Sequence, residues 1–393
     1  MGFLDAYRVV DFTNERGLLA GRLLADLGAD VIQVEPPDGS SARRVGPFAE
    51  DGESLYWAAY AANKRGVTCD LDTREGRELA LALCAEADFV FESETPGTMA
   101  RRGLGYDDVQ RVNPRAVYTS ITPFGSDGPK AAYADSELVL WAAGGPLAAH
   151  QDGDRPPLRI SVPQAYLHGA ADAAGGALIA HLAGTRTGAG QHVDVSVVQS
   201  VTQATLSRIL ATAVGDSQGS ALIAPEADGK VDQSGSGSGT AGTKWRVRDG
   251  YVAMHLALGP AAGRFTNNLF AWLHEEGACD SELAEVDWCE VPERDLLERA
   301  RAAVAEFMSR RTKQEVLDAS LERKLLAAPI LTVADIAESE QLEARSFWVE
   351  FGDHVLPGPF AHATADAFAF RRPAPRLGEH NAEVFGEILG LRE

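Results

Sequence analysis

Along the first 200 residues, short apolar runs alternate with longer stretches in which apolar residues recur every three or four positions. The runs predict strands and the stretches predict helices. Arg8–Phe12 (RVVDF) is the first strand. Thr13 or Asn14 is placed to cap the next helix, which carries Leu19, Leu23, Leu24 and Leu27 on one face and ends at Gly28. Val31–Glu35 (VIQVE) is the second strand, stopped by Pro36 and Pro37. The strand VTCDL leads through Asp72 and Glu75, which suit a capping box, into the helix GRELALALCAEA. DFVFES and AVYTSIT are further strands. The stretch from Ser161 to Ser196 reads as an Ala- and Gly-rich helix with Pro163 in its first turn, then a tight loop and the strand QHVDVSVV. That strand places Val193, Val195 and Val197 on one face, and another helix follows near Val201–Val214. Strand–helix repetition of this kind predicts an α/β fold with a largely parallel sheet.

The pattern changes after residue 214. Residues 215–243 lose their periodicity and contain GSGSGTAG from Gly235, the composition of a linker or mobile loop. WRVRDGYVAMHL predicts a hairpin turning at Asp249-Gly250. Helical periodicity continues to about Gln341. RRPAPRLGEHNAEVF is a proline-containing strap that leads to a last helix. The expected division is therefore 1–214, a linker at 215–243, a smaller region at 244–341, and a C-terminal strap and helix at 342–393.

The chain has 393 residues, enough for a large core, with 45% hydrophobic and 24% charged residues. Its formal net charge of −21 creates a field that repels phosphate backbones and anionic bilayers, which argues against nucleic acid and membrane as partners. An anionic ligand has to be held by local cations and backbone N–H groups. Cys69, Cys84, Cys279 and Cys289 show no metal or redox spacing and read as reduced thiols of a cytoplasmic protein. No metal site is expected. The first strand–helix turn, DFTNERGLLAG, lacks the GxGxxG that cradles a dinucleotide pyrophosphate, and no Walker motif occurs.

Five segments, in order and spanning nearly the whole chain, resemble the family III CoA-transferases, the group that includes formyl-CoA transferase, carnitine CoA-transferase and alpha-methylacyl-CoA racemase. They are GRLLADLGADVIQVEPP, ANKRGVTCDLDTREGRE, PGTMARRGLGYDDVQRVNPRAVYTSITPFGSDGP, TGAGQHVDVSVVQS and RRPAPRLGEH. The resemblance implies a Rossmann-like large domain built from both chain ends, a smaller middle domain, and an interlocked dimer of two threaded chains. It also implies coenzyme A, carried as acyl-CoA, and a carboxylic acid as the second substrate. Arg16 and Gly17, in the first strand–helix turn, fall at coenzyme-contacting positions. Asn63, Lys64 and Arg65 match the family's NKR signature. Gly97 and Arg101 follow the segment ESETPG, where Ser93 and Thr95 replace the Asn and Arg of the common ENFRPG, and Pro36 stands where some members have arginine. The GSGSG run resembles a glycine loop that covers the site.

Family transferases attack the thioester with an aspartate at the start of the Ala- and Gly-rich helix, in a pattern near VPIADL. Here the pattern reads VPQAYL, so the aspartate position falls on Tyr166, or on Ala165 if the register slips by one. A phenol has no carbonyl carbon to accept coenzyme A, so it cannot complete the two-step exchange. Asp172 lies about 240° around the helix from Tyr166. Asp152 and Asp154 sit upstream in an expected turn. Glu137 matches an acidic position of the family, and His168, two residues past Tyr166, is a candidate general base. The racemase branch needs an aspartate and a histidine; the first is missing and Ser136 stands at the expected histidine position. Three readings remain: transfer without the aspartyl anhydride, a non-catalytic coenzyme-binding subunit paired with an active homologue, or another CoA-dependent or acyl-transfer reaction. Partnership as homodimer or heterodimer stays open among them.

Overall fold

The computed structural model describes residues 2–149, 156–203, 244–290, 293–351, 354–365, 368 and 370–390. The segment 215–243 with its glycine run, the distal part of the helix expected at 201–214, and Asp152 and Asp154 lie outside the described residues.

The chain forms two compact units, one from 1–146, 159–205 and 343–393, the other from 147–158 and 206–342. In the first, six strands make one parallel sheet: β1 (Arg8–Asp11), β2 (Asp30–Glu35), β3 (Arg65–Thr68), β4 (Phe89–Glu92), β5 (Val117–Thr122) and β6 (His192–Ser196), in the order β3-β2-β1-β4-β5-β6. Its helices are α1 (Leu18–Asp26), α2 (Leu55–Tyr60), α3 (Arg74–Ala85), α4 (Thr98–Arg101), α5 (Tyr106–Val112), α6 (Glu137–Gly144), α7 (Ala165–Thr187) and α8 (Val197–Gln203). The α/β class with a parallel sheet is the one the periodicity predicts. The strand order reverses between β1 and β4, and the carboxyl ends of strands at such a switch point are where open α/β sheets bind ligands.

Boundaries differ from the expected ones where side chains do other work. α1 starts at Leu18 with Gly17 at the N-cap position and no side-chain cap, and Thr13 and Asn14 are engaged in the turn before it. Leu18 and Leu24 are its fully buried leucines, while Leu19 and Leu23 are half-buried. The cap of α3 is Thr73, not Asp72; its hydroxyl accepts from Gly76 N. α7 begins at Ala165, two residues after Pro163. Val197 and Val198 already belong to α8, so β6 ends two residues earlier than expected.

Helix α7 buries Gly169, Ala170, Ala173, Ala174, Ala177 and Ala180 on one stripe. A Cβ on Gly169 would fall 2.8 Å from Val197 Cγ2, so the small residues set how closely this helix packs. The C-terminal strap lies along the sheet's edge strand. His380 N donates to Gly66 O (2.9 Å), Thr68 N to Asn381 Oδ1 (2.8 Å) and Trp57 Nε1 to Pro375 O (3.1 Å). The strap and its helix (Asn381–Leu389) thereby cover β3, which would otherwise expose open backbone groups.

The second unit holds an antiparallel sheet in the order β7 (Lys244–Val247), β8 (Gly250–Met254), β9 (Ala327–Ile330). The hairpin pairs Val247 with Gly250, so its turn residues are Arg248 and Asp249, one step before the expected pair. Periodicity missed β9 because Pro329 and its short length hide a strand among helices. Trp245, Phe270, Trp288 and Phe307 centre its core.

Candidate functional site

The strands of the parallel sheet end on buried polar side chains: Asp11, Glu35, Glu92, Thr122 and Ser196. Asp11 and Glu92 among them end the two strands at the β1/β4 reversal. Ser93 bridges it: Asn14 N donates to Ser93 Oγ and Ser93 Oγ donates to Asn14 Oδ1, each at 3.1 Å. The β1–α1 turn and the β4–α4 loop, which carry Arg16, Gly17, Gly97 and Arg101, are therefore neighbours at one edge. Gly17 is tight, since a Cβ would lie 2.6 Å from Thr13 Cγ2 and 2.9 Å from Ile121 Cδ1. Gly97 takes φ +80 at the start of α4, a conformation that favours glycine. Arg101 is exposed, and its guanidinium donates to Thr98 Oγ1 (2.8 Å).

Arg16 Nη2 forms an ion pair with Asp135 Oδ1 at 2.9 Å. The Tyr56 hydroxyl donates to Glu15 O in the same turn (2.8 Å). Burial raises the Tyr56 phenol, with the charges of Glu15 and Glu137 adding to the effect, so it stays protonated as a donor. Two residues beyond Asp135, Glu137 Oε1 accepts from Trp141 Nε1 (2.9 Å), Gln164 N and Ala165 N (2.8 Å). A carboxylate from α6 thus caps the positive end of α7, a role that local sequence does not reveal. Glu137 Oε2 and Tyr166 Oη, beside this cap and in the first turn of α7, are buried and without a hydrogen-bond partner among the described residues. His168, two residues and about 200° further around the helix, is exposed, and so is Asp172 on the same helix.

Asn63, Lys64 and Arg65 point into the fold. Asn63 takes φ +66; its amide donates to Asp26 and its oxygen accepts from Arg371 N. Lys64 is fully buried on Asp11, Gln33 and Leu18 O, and burial pulls its ammonium pKa down against the pull of Asp11. Arg65 binds Asp30 and the last helix through Glu383 and Glu387. The sequence reading missed Asp135 and Tyr56, whose only signal was an acid two residues before Glu137 and an aromatic in a short helix.

The family model for CoA-transferase family III matches residues 4–381. The chain belongs to CoA-transferase family III. It is 34% identical to the succinyl-CoA:(R)-benzylsuccinate CoA-transferase subunit BbsE of Thauera aromatica over 97% of this chain and 93% of that one. It is 31% identical to a formyl-CoA:oxalate CoA-transferase of Streptomyces avermitilis over 99% of this chain and 96% of that one. A CAIB/BAIF family protein from Brucella suis superposes with a TM-score of 0.81 at 28% identity, over 98% of this chain and 99% of that one. The family implies CoA thioesters as substrates. No helix among the described residues is long and apolar enough to cross a membrane.

Proposed function

We propose that this chain binds acyl-CoA as one subunit of a two-chain family III CoA-transferase, with the attacking carboxylate supplied by a homologous partner. The observation that carries the reading is Tyr166 in the first turn of α7, where the family's pattern has its aspartate. The nearest acid, Glu137, already accepts three hydrogen bonds as the cap of that helix. A phenol cannot accept coenzyme A in the second step of the exchange, because it has no carbonyl carbon of its own for the thiolate to attack. The Thauera aromatica relative is itself named as a subunit of such a transferase. Helix α7 also leaves Ile179 and Leu182, one turn apart, 71% and 66% exposed, an apolar face suited to a second chain. The interlocked two-domain dimer, with Arg16, Gly17, Gly97 and Arg101 at the coenzyme, belongs to this reading.

A second reading has this chain transfer the acyl group directly between bound substrates, with His168 as base; the exposure of His168 near Tyr166 supports it. Isolated protein incubated with succinyl-CoA and labelled coenzyme A separates the two. The subunit reading expects coenzyme binding by calorimetry, no label exchange, and no hydroxamate after hydroxylamine. A hydroxamate on Glu137 or Asp172 overturns it in favour of a relocated nucleophile. Transfer of coenzyme A from succinyl-CoA to labelled succinate without hydroxamate, abolished by His168→Ala, favours the direct route. Tyr166→Asp is expected to restore exchange if the pocket around α7 retains the family's shape.

A further inference from the structure

We propose that Lys64, Asp11 and Gln33 are the positioning residues of the β1–α1 turn, fixing the backbone on which Arg16 and Gly17 receive coenzyme A. The inference rests on the reading of that turn as part of the coenzyme site. All three side chains have no solvent exposure, and Thr13 has 2%.

Lys64 Nζ donates to Asp11 Oδ2 (2.8 Å), Gln33 Oε1 (2.9 Å) and Leu18 O (2.8 Å), which uses its three N–H groups. Asp11 Oδ1 accepts from Thr13 N (2.9 Å) and Thr13 Oγ1 (2.6 Å). Gln33 Nε2 donates to Asp11 O (3.1 Å) and Thr13 O (2.8 Å). The set thus grips the turn at residue 11, at both backbone groups of residue 13, and at residue 18 where α1 begins. Between these anchors only 14 to 17 are left, the stretch that carries Arg16 and Gly17. Gly21 makes room for the set beneath α1: a Cβ there would fall 2.0 Å from Asp11 Oδ2 and 3.1 Å from Lys64 Nζ.

A buried ion pair of this kind is a poor source of stability, because an apolar filling of equal volume avoids the desolvation cost. What apolar side chains lack is direction. They cannot hold Thr13 N, Thr13 O and Leu18 O in one arrangement. Fixing that backbone before the ligand arrives lowers the ordering cost of binding. Lys64 therefore serves coenzyme binding without touching the coenzyme.

The test is the double substitution Lys64→Met with Asp11→Leu, which removes both charges together and leaves neither ion unpaired. The thermal midpoint is expected to fall, because Thr13 N, Thr13 Oγ1, Gln33 Oε1 and Leu18 O lose their partners. Coenzyme A affinity by calorimetry is expected to fall by about tenfold or more. Amide hydrogen exchange at residues 13–17 without ligand is expected to quicken by about tenfold. A folded double variant with parental affinity, or with parental exchange in the turn, overturns the inference. If the double variant does not fold, Gln33→Leu keeps the ion pair and releases Asp11 O and Thr13 O; the same fall in affinity and the same faster exchange are expected, and parental values of either overturn the inference. Failure of the parent protein to bind coenzyme A would count against the site reading itself, and exchange at 13–17 would still decide the positioning role.

Discussion

Two carboxylates at this site have opposite environments. Glu137 sits on three donors at the positive end of α7, and its removal leaves Gln164 N and Ala165 N without their acceptor. Glu137→Ala is expected to cost about 1–2 kcal/mol in urea unfolding, as for loss of a strong helix cap, and Glu137→Gln to recover most of it. Glu92 closes β4 inside the sheet. Burial is the leading cause that raises its carboxyl from 4.5 to about 7, opposed by hydrogen bonds from Ser120 and Glu94 N. Folding thus favours the protonated form. Its contribution to stability is whole below pH 4.5 and is lost as the pH rises through about 7. Glu92→Gln keeps an acceptor for Glu94 N and has no proton to lose. Between about pH 4.5 and 8 it is expected to lose roughly 1–3 kcal/mol less stability than the parent protein, read from urea midpoints at each pH.

At the scale of the element, α7 shows that glycines of one helix do different things. Gly169 faces Val197 with no room for a side chain, whereas a Cβ on Gly175 meets nothing within 4 Å. Gly169→Val is expected to cost about 1–3 kcal/mol through overpacking against α8. Gly175→Ala is expected to stabilise by about 0.5–1 kcal/mol, because it limits the unfolded chain without a clash. Thermal unfolding of the two variants side by side checks both signs. A large loss at Gly175 would mean that this face of α7 is packed against another chain in solution.

At the scale of the molecule, the apolar residues on the open face of α7 carry the oligomer expectation. Light scattering at micromolar concentration is expected to give at least twice the chain mass of 41.8 kDa. Ile179→Asp with Leu182→Asp is expected to shift the protein toward the single-chain mass, because two like charges would have to be buried in the interface. A parental protein that runs as one chain would remove the dimer from the proposed function. The long-range charge of −21 bears on the ligand as well. It opposes the approach of any polyanion, so coenzyme A binding as proposed would rely on close contacts rather than on steering.

The sequence by itself determined the alternation of strands and helices, the parallel sheet and the motif order of the family. These are local or ordered features: periods of two and 3.6, turn residues, and residue types at fixed spacing. The three-dimensional arrangement alone decided what the side chains in those motifs do. Asn63, Lys64 and Arg65 match a coenzyme signature, yet their polar groups meet Asp26, Asp11 and Asp30 inside the fold. Glu137 caps a helix that starts 28 residues later, and Asp135 meets Arg16 across 119 residues of chain. β9 joins a hairpin far upstream, and the strap of residues 371–380 closes the edge at β3. Such pairings depend on which distant segment arrives at a given backbone group or charge. Local pattern specifies the element that carries a side chain, and only packing specifies its partner.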